Sequence, residues 1–379
     1  MRCKRSPEKL STLRLGVFID EHRDKPPYGE QNTYVTRLAA RARSMGIDLF
    51  AFSIPQKSVD QGRLQVRYPE RSWSISQARL PHVVYDRAIF TRRSDKLAAR
   101  SLLRQLQARG VLVFNPVIGS KLVIHRQLES VPGVSHLLPD TARVIDVETV
   151  HQFLKKWGDV FVKPSVGTQG RGVLRIVRRG ERFETSGFTN KLDYIEYTDL
   201  DKNGLNRLLR SIIGSRTHMV QRAVETLKLG GSRTDVRSLV QKDRTGAWRV
   251  TGAAARVAEG SSSVTNLHRG GRALPLSELV QGIGEAAGID FRSIENEINR
   301  ASIAVSEALS QRYSLLGELG LDFIIGKDGR VWLIEVNPRP GRNVLRNSGM
   351  DDAARLGDER PLEYAQYLVS AVRAARGRR

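Results

Sequence analysis

The stretch Phe161-Val162-Lys163-Pro164-Ser165-Val166-Gly167-Thr168-Gln169-Gly170-Arg171-Gly172-Val173 decides the fold. A strand ends in a lysine, and three glycines then surround small polar residues before another strand begins. Glycine lets successive backbone N–H groups point into one concavity, which suits anionic oxygens. Lys163 adds a point charge beside them, so the turn has the make-up of a phosphate cradle. No Gly-Lys-Ser/Thr follows, and the glycines do not fall as Gly-x-Gly-x-x-Gly, so neither common nucleotide loop is present. A plain glycine-rich β-turn is the alternative, and the lysine at the strand end favours phosphate.

Two further groups lie downstream. Asp322 interrupts the apolar run Gly320–Ile325, and Glu335 interrupts Trp332–Val336, which leads into Asn337-Pro338-Arg339-Pro340-Gly341. Carboxylates inside such strands are costly to bury without a partner. Aligned across a hairpin, and joined by Asn337, they offer hard oxygen ligands to Mg²⁺. The alternative is that each pairs with one of the many arginines. Between the two groups stand Asp235-Val236-Arg237, then Arg256, then Asn266-Leu267-His268-Arg269-Gly270-Gly271. Arginines on neighbouring strands clamp a phosphate through several N–H donors. Gly270 and Gly271 let backbone amides approach an anionic intermediate. His268 is read as an isolated histidine.

The organisation follows from apolar periodicity. After a mobile tail at 1–12, residues 13–120 predict an α/β unit with strands at Leu13–Ile19, Asp48–Ser53, His82–Tyr85 and Val111–Phe114. Helices are expected at Thr33–Ser44 and Asp95–Arg109, and this alternation implies a parallel sheet. Residues 121–224 predict a central unit: helix Val147–Trp157, strand Val160–Lys163, a turn over Gly180–Thr189, helix Leu205–Ile213 and strand Met219–Arg222. The third unit, 225–379, carries strands Val236–Gln241, Trp248–Val257, Leu321–Gly326 and Val331–Val336. Its helices are expected at Leu276–Glu285, Ile294–Leu319 and Glu363–Ala374. The fold class is thus α/β and α+β.

At 379 residues the chain is long enough for two or three packed domains, and its hydrophobic fraction of 40% suits a globular enzyme. No run approaches the ~20 apolar residues of a membrane span. Cys3 is the only cysteine, so no internal disulfide or thiolate metal cluster is expected, and the reading is cytoplasmic. The net charge of +22 raises the prior for an anionic partner, but aromatics are only 6% and the arginines are scattered, which disfavours nucleic acid.

Taken in order, these motifs resemble the ATP-grasp superfamily of the glutathione synthetase and D-alanine–D-alanine ligase type. The closer resemblance is to the YheC/YheD-like family of spore-coat-associated ATP-grasp proteins. It rests on VVYDRA at 83–88, FVKPSVGTQGRGV at 161–173, DVRSLVQKD at 235–243, WRVTGAAARVA at 248–258 and WLIEVNPRPGRN at 332–343. The resemblance implies a parallel-sheet pre-ATP-grasp domain, with the nucleotide held between two α+β subdomains. It implies nucleotide contacts from Lys121, Lys163, Gly167, Thr168, Gln169, Gly170, Gly172, Asp235 and the hinge residues Gln221, Arg222 and Val224. It further implies catalytic roles for Arg237, Arg256, Asn266 and Gly271, and Mg²⁺ ligation by Asp322, Glu335 and Asn337, with Mn²⁺ as a substitute. The segment ETLKLGGSRT at 225–234 is longer than in the glutathione synthetase pattern.

The implied reaction activates a carboxylate with ATP and joins it to an amine. Substrates are expected to be a small-molecule or peptide carboxylate and an amine, with Arg339 and Arg342 placed by position and charge to face the carboxylate. An ATP-binding assembly protein and a phosphotransferase are the alternatives. A homo-oligomer or coat-type assembly stays open.

Overall fold

The computed structural model describes residues 12–21, 27–29, 31–54, 62–167, 170–258, 271–287 and 290–376. The tail at 1–11 lies outside them.

The first sheet is built from β1 (Leu13–Phe18), β2 (Ile47–Phe52), β3 (Arg63–Arg67), β4 (Ile75–Arg79), β5 (Val83–Asp86) and β6 (Leu112–Phe114), in the order β4-β3-β2-β1-β5-β6. The strands β2, β1, β5 and β6 run parallel, as expected. The hairpin β3–β4 adds two antiparallel strands that the apolar pattern did not signal. Each carries few apolar residues, because one side faces solvent. Helices α1 (Gln31–Ser44) and α2 (Arg93–Ala108) cover opposite faces, so β1 and β5 read as continuous apolar runs.

The central sheet takes β7 (Thr141–Arg143), β8 (Asp159–Pro164), β9 (Leu174–Arg179), β10 (Arg182–Phe188), β11 (Tyr194–Leu200) and β12 (His218–Arg222), ordered β11-β10-β9-β8-β12-β7. Helices α4 (Val147–Trp157) and α5 (Lys202–Ile213) bury Val150, Leu154, Leu205 and Leu209 against it. Asp146 and Asp201 cap them, accepting from the amides of Thr149 and Gly204 at 2.9 and 2.7 Å. The turn expected over 180–189 is shorter: β9 and β10 are joined by Gly180-Glu181 alone, with Gly180 at φ 62°. Residues 182–188 form a strand whose alternation is carried mostly by small and polar residues.

The third sheet runs β16-β15-β14-β17-β18, from β14 (Ser232–Lys242), β15 (Trp248–Val257), β16 (Arg272–Pro275), β17 (Glu318–Ile325) and β18 (Val331–Asn337). The extra length before Asp235 is a small hairpin, in which β13 (Lys228–Leu229) folds back on β14. Helices α6 (Leu276–Ala287) and α7 (Phe291–Ser310) follow β16. The expected helix to Leu319 stops at Ser310, and the chain is turned into β17, where Asn115 Oδ1 of the first unit takes the amides of Gly317 and Glu318 at 2.8 and 2.9 Å. Periodicity cannot reveal such a tertiary capture.

Two helices cross the sequence boundaries. Helix α3 (Lys121–Glu129) sends Ile124 and Leu128 into the core of the third sheet, not the central one. After α8 (Asn343–Asn347), α9 (Asp351–Arg376) lays Leu362, Tyr364, Ala365 and Leu368 against Leu15, Val17 and Leu38 of the first unit. It starts twelve residues before the expected Glu363 and runs through Pro361, which reads as a boundary in sequence.

Candidate active site

The strand β8 ends at the glycine turn, and Lys163 near its end is buried. Its Nζ donates to Gln221 Oε1 at 2.7 Å on the neighbouring β12, and lies 3.5 Å from Ile334 O of β18. The central and third sheets therefore meet at this lysine. Burial and the nearby Lys121 push its ammonium down to about 8, while Glu335 and Asp322 pull the other way. Gln221 is fixed from behind by Thr141 Oγ1, to which its Nε2 donates at 2.9 Å.

Lys121 opens α3. Ser120 caps that helix, and the Lys121 amide donates to Ser165 O at 2.9 Å, stitching the helix to the chain just after Lys163. Lys121 Nζ reaches Glu335 Oε2 at 3.2 Å. On the same helical face, Ile124, His125 and Leu128 line a narrow cavity with Leu138, Met219, Gln221 and the stretch 333–336. Burial, reinforced by Lys163, holds the His125 imidazole down at about 4, so it is neutral. His125 was not singled out in the sequence, although its i+4 spacing from Lys121 carried the signal.

The carboxylates sit in a cross-strand row. Arg237 of β14 is opposite Asp322 of β17, and Asp322 is opposite Glu335 of β18. Arg237 pairs with Asp322, with Nη2 2.8 Å from Oδ2. Arg256 binds Asp235 at 2.6 and 2.8 Å and reaches Asp322 at 3.2 Å. Burial alone would raise the Asp322 carboxyl, but Arg237 and Arg256 overcome it and hold the group near 2. The pairing alternative holds for Asp322, which binds Arg237 and Arg256, while Glu335 pairs with Lys121. Asn337 follows Glu335 by two residues, and its Oδ1 accepts from the Arg339 amide at 2.9 Å. Among the described residues no cluster of three or more His, Cys, Asp or Glu side chains could hold a metal.

Other expected site residues fall differently. Thr168, Gln169 and Asn266, with His268, lie outside the described residues. Gly167, Gly170 and Gly172 form the described part of the turn. Gly172 has φ 68°, and a Cβ there would stand 2.7 Å from Asn190 Oδ1. Gly271 leads into β16. Arg222 points away from Gln221: its guanidinium lies 4.2 Å from the Trp157 ring and 5.5 Å from Trp332, bridging the two subdomains. The amides of Arg222 and Ala223 are taken by Asp140 O and Asp159 O, and Val224 is buried.

Arg339 and Arg342 are a correction. Neither guanidinium faces open space: Arg339 is paired with Asp86, and Arg342 with Glu318, all at most 7% exposed in their side chains. Arg342 also donates to Tyr85 Oη and Gly357 O, at 2.7 and 2.8 Å. Arg87 joins Glu318 from the first unit at 2.8 Å. Position and charge were read correctly, but the anions that answer them belong to the protein.

The family model for YheC/D like ATP-grasp matches residues 110–368. The endospore coat-associated protein YheD of Bacillus subtilis (strain 168) is 26% identical over 350 residues, covering 90% of this chain and 75% of the relative. YheC of the same organism is 24% identical over 341 residues, covering 89% and 92%. Among solved structures, the ATP-grasp ligase PsnB complexed with minimal precursor superposes with a TM-score of 0.55 at 16% identity, covering 93% of this chain and 99% of that one. The D-alanine-D-alanine ligase from Coxiella burnetii gives 0.56 at 12%, covering 96% and 99%. The fold is ATP-grasp, with a mixed sheet in the N-terminal unit and antiparallel sheets in the other two. With its model matched across well over half of the residues, the chain belongs to the YheC/D-like ATP-grasp family.

Proposed function

We propose that the chain is an ATP-dependent carboxylate–amine ligase, activating a carboxylate as an acyl phosphate and forming an amide or peptide-like bond with release of ADP and phosphate. The observation that supports this most is convergence: Lys121 and Lys163 from mid-chain come together with Asp322 and Glu335 from near its end, where the central and third sheets meet. Lys121 and Lys163 neutralise phosphate charge, and the glycine turn supplies amides and covers the site against water. Arg237 and Arg256 stabilise the transferring phosphoryl group, with Asn266 and Gly271 near the acyl phosphate. Two carboxylates and an amide fit Mg²⁺, which takes one or two carboxylates plus phosphate oxygens and water; Asp322, Glu335 and Asn337 would hold it. When bound it supplies further charge neutralisation at the phosphates. The amine attacks the acyl carbon, phosphate leaves, and the amine's proton passes to solvent or phosphate.

The test is phosphate release from ATP against panels of amino acids, peptides and polyamines, with mass spectrometry of products. Amide product with stoichiometric phosphate supports the ligase, whereas phosphate found on the product makes it a phosphotransferase. The relatives are named endospore coat-associated proteins, which favours a second reading as an ATP-binding assembly component. Tight nucleotide binding with no turnover across the panels would select that one.

A further inference from the structure

Helix α2 breaks the electrostatic rules that other helices of the chain keep. Asp146 caps α4, Glu148 sits in its first turn, and Lys155 and Lys156 in its last. Asp201 caps α5, which ends with Arg210. Each thus complements its helix dipole. In α2, Arg92 stands at the N-cap with no side-chain cap bond, Arg93 follows, Asp95 is the one acid of the first turn, and no basic residue appears in the last turn before the C-cap Arg109. Arg92, Lys96, Arg100 and Arg104 then repeat at four-residue spacing, which sets like charges beside one another and costs stability.

These side chains are exposed, and among the described residues none has an ion-pair or hydrogen-bond partner. At helical pitch, Arg92, Arg93, Lys96, Arg100 and Arg104 fall within an arc of about 120°, along about 18 Å of axis. The buried side, with Ala99, Leu102 and Leu106, lies about a third of a turn away and adjoins the ridge near Arg92. The cations therefore form one solvent-facing ridge. A local sequence choice that opposes the local structure, with no compensating partner among the described residues, points to a partner outside the chain.

The ridge also starts in a telling place. The loop before α2 is held at the carboxyl ends of β1 and β5: the Arg87 amide donates to Phe18 O at 2.9 Å and the Ile89 amide to Asp20 Oδ1 at 3.2 Å. At the same edge Arg87 Nη1 donates to Pro340 O, in the turn that follows Asn337. An extended anion lying on α2 would run toward the third-unit turn beside the candidate active site.

We propose that this face of α2 docks an acidic polypeptide segment, which thereby delivers a carboxylate toward the cleft. The docking stands on charge complementarity, while the delivery rests on the ligase reading. A polypeptide is favoured over nucleic acid because the ridge carries no aromatic side chain for base stacking and because the proposed chemistry consumes carboxylates. The test is fluorescence anisotropy of a labelled peptide of about a dozen glutamates with the full chain, at low and high salt. We expect saturable binding that salt weakens, reduced at least about tenfold by Arg93→Glu/Arg100→Glu/Arg104→Glu, with nucleotide affinity unchanged. Should that variant fail to fold, Arg100→Gln and Arg104→Gln singly should each give a smaller loss. Failure of the peptide to bind at low salt, or indifference to every variant, overturns the proposal. So does tighter, variant-sensitive binding of duplex DNA or phosphatidylserine vesicles. Peptide docking by a protein that binds no nucleotide would sink the ligase reading and leave the surface standing.

Discussion

Glu318 and Asp322 stand four residues apart on β17, on the same face, and both are answered by arginines. Glu318 is sealed: its side chain is 1% exposed and is bound by Arg87, Arg342 and Gln241, with Tyr85 closing the cluster. Asp322 is itself nearly as buried, at 11% side-chain exposure, but its cross-strand neighbour Glu335 and that residue's partner Lys121 keep 33% and 20% of their side-chain surface, so the cluster opens on that side. The sealed cluster joins the first unit to the third, while the open one lies where the central unit meets the third. Identical chemistry thus serves two ends, and accessibility separates them. A buried pair that loses one partner leaves a stranded charge, whereas a half-open pair can exchange partners with a ligand.

The comparison breaks most sharply at its sealed end. Glu318→Ala should strip Arg87 and Arg342 of their counter-charge and lower stability by about 3–5 kcal/mol, read by denaturant unfolding. Arg342→Ala should act through stability in the same way. If either variant keeps wild-type stability and instead loses only substrate affinity, the sealed cluster has been misassigned. At the open end, Glu335→Gln should leave the melting temperature near that of the wild type, since a third of the side chain is exposed, and weaken Mg-nucleotide binding severely.

A finer probe uses protons. Lys163 has its ammonium pushed down to about 8, and a phosphate favours the charged form. Binding should therefore take up a proton above that pH. Nucleotide affinity should hold below about pH 8 and fall by up to about tenfold per unit above it, until the pKa of the bound state is reached. Calorimetric heats should then vary with buffer ionisation enthalpy, and Lys163→Arg should flatten the profile. The smallest effect is expected beyond the open cluster, at Arg222. Arg222→Ala removes the contacts to Trp157 and Trp332 and should cost about 1 kcal/mol, with nucleotide affinity little changed and tryptophan emission shifted.

Much of the site was legible because its chemistry is local. The lysine before three glycines, and two carboxylates inside apolar strands, are unusual wherever they occur. What sequence could not separate was Arg237 from Arg342, since both follow the same composition and only the tertiary partner differs. The β3–β4 hairpin was missed because half-exposed strands carry little apolar signal. The start of β17 and the extent of α9 were misread because both rest on contacts with the first unit, distant in sequence.

Titration calorimetry of Mg-ADP with the wild type, Lys163→Ala and Glu335→Gln reads the cleft most directly. Saturable binding by the wild type, and a loss of at least about a hundredfold in each variant with melting temperatures preserved, is the predicted result. Wild-type protein that ignores the nucleotide, or variants that bind as it does, would contradict the account.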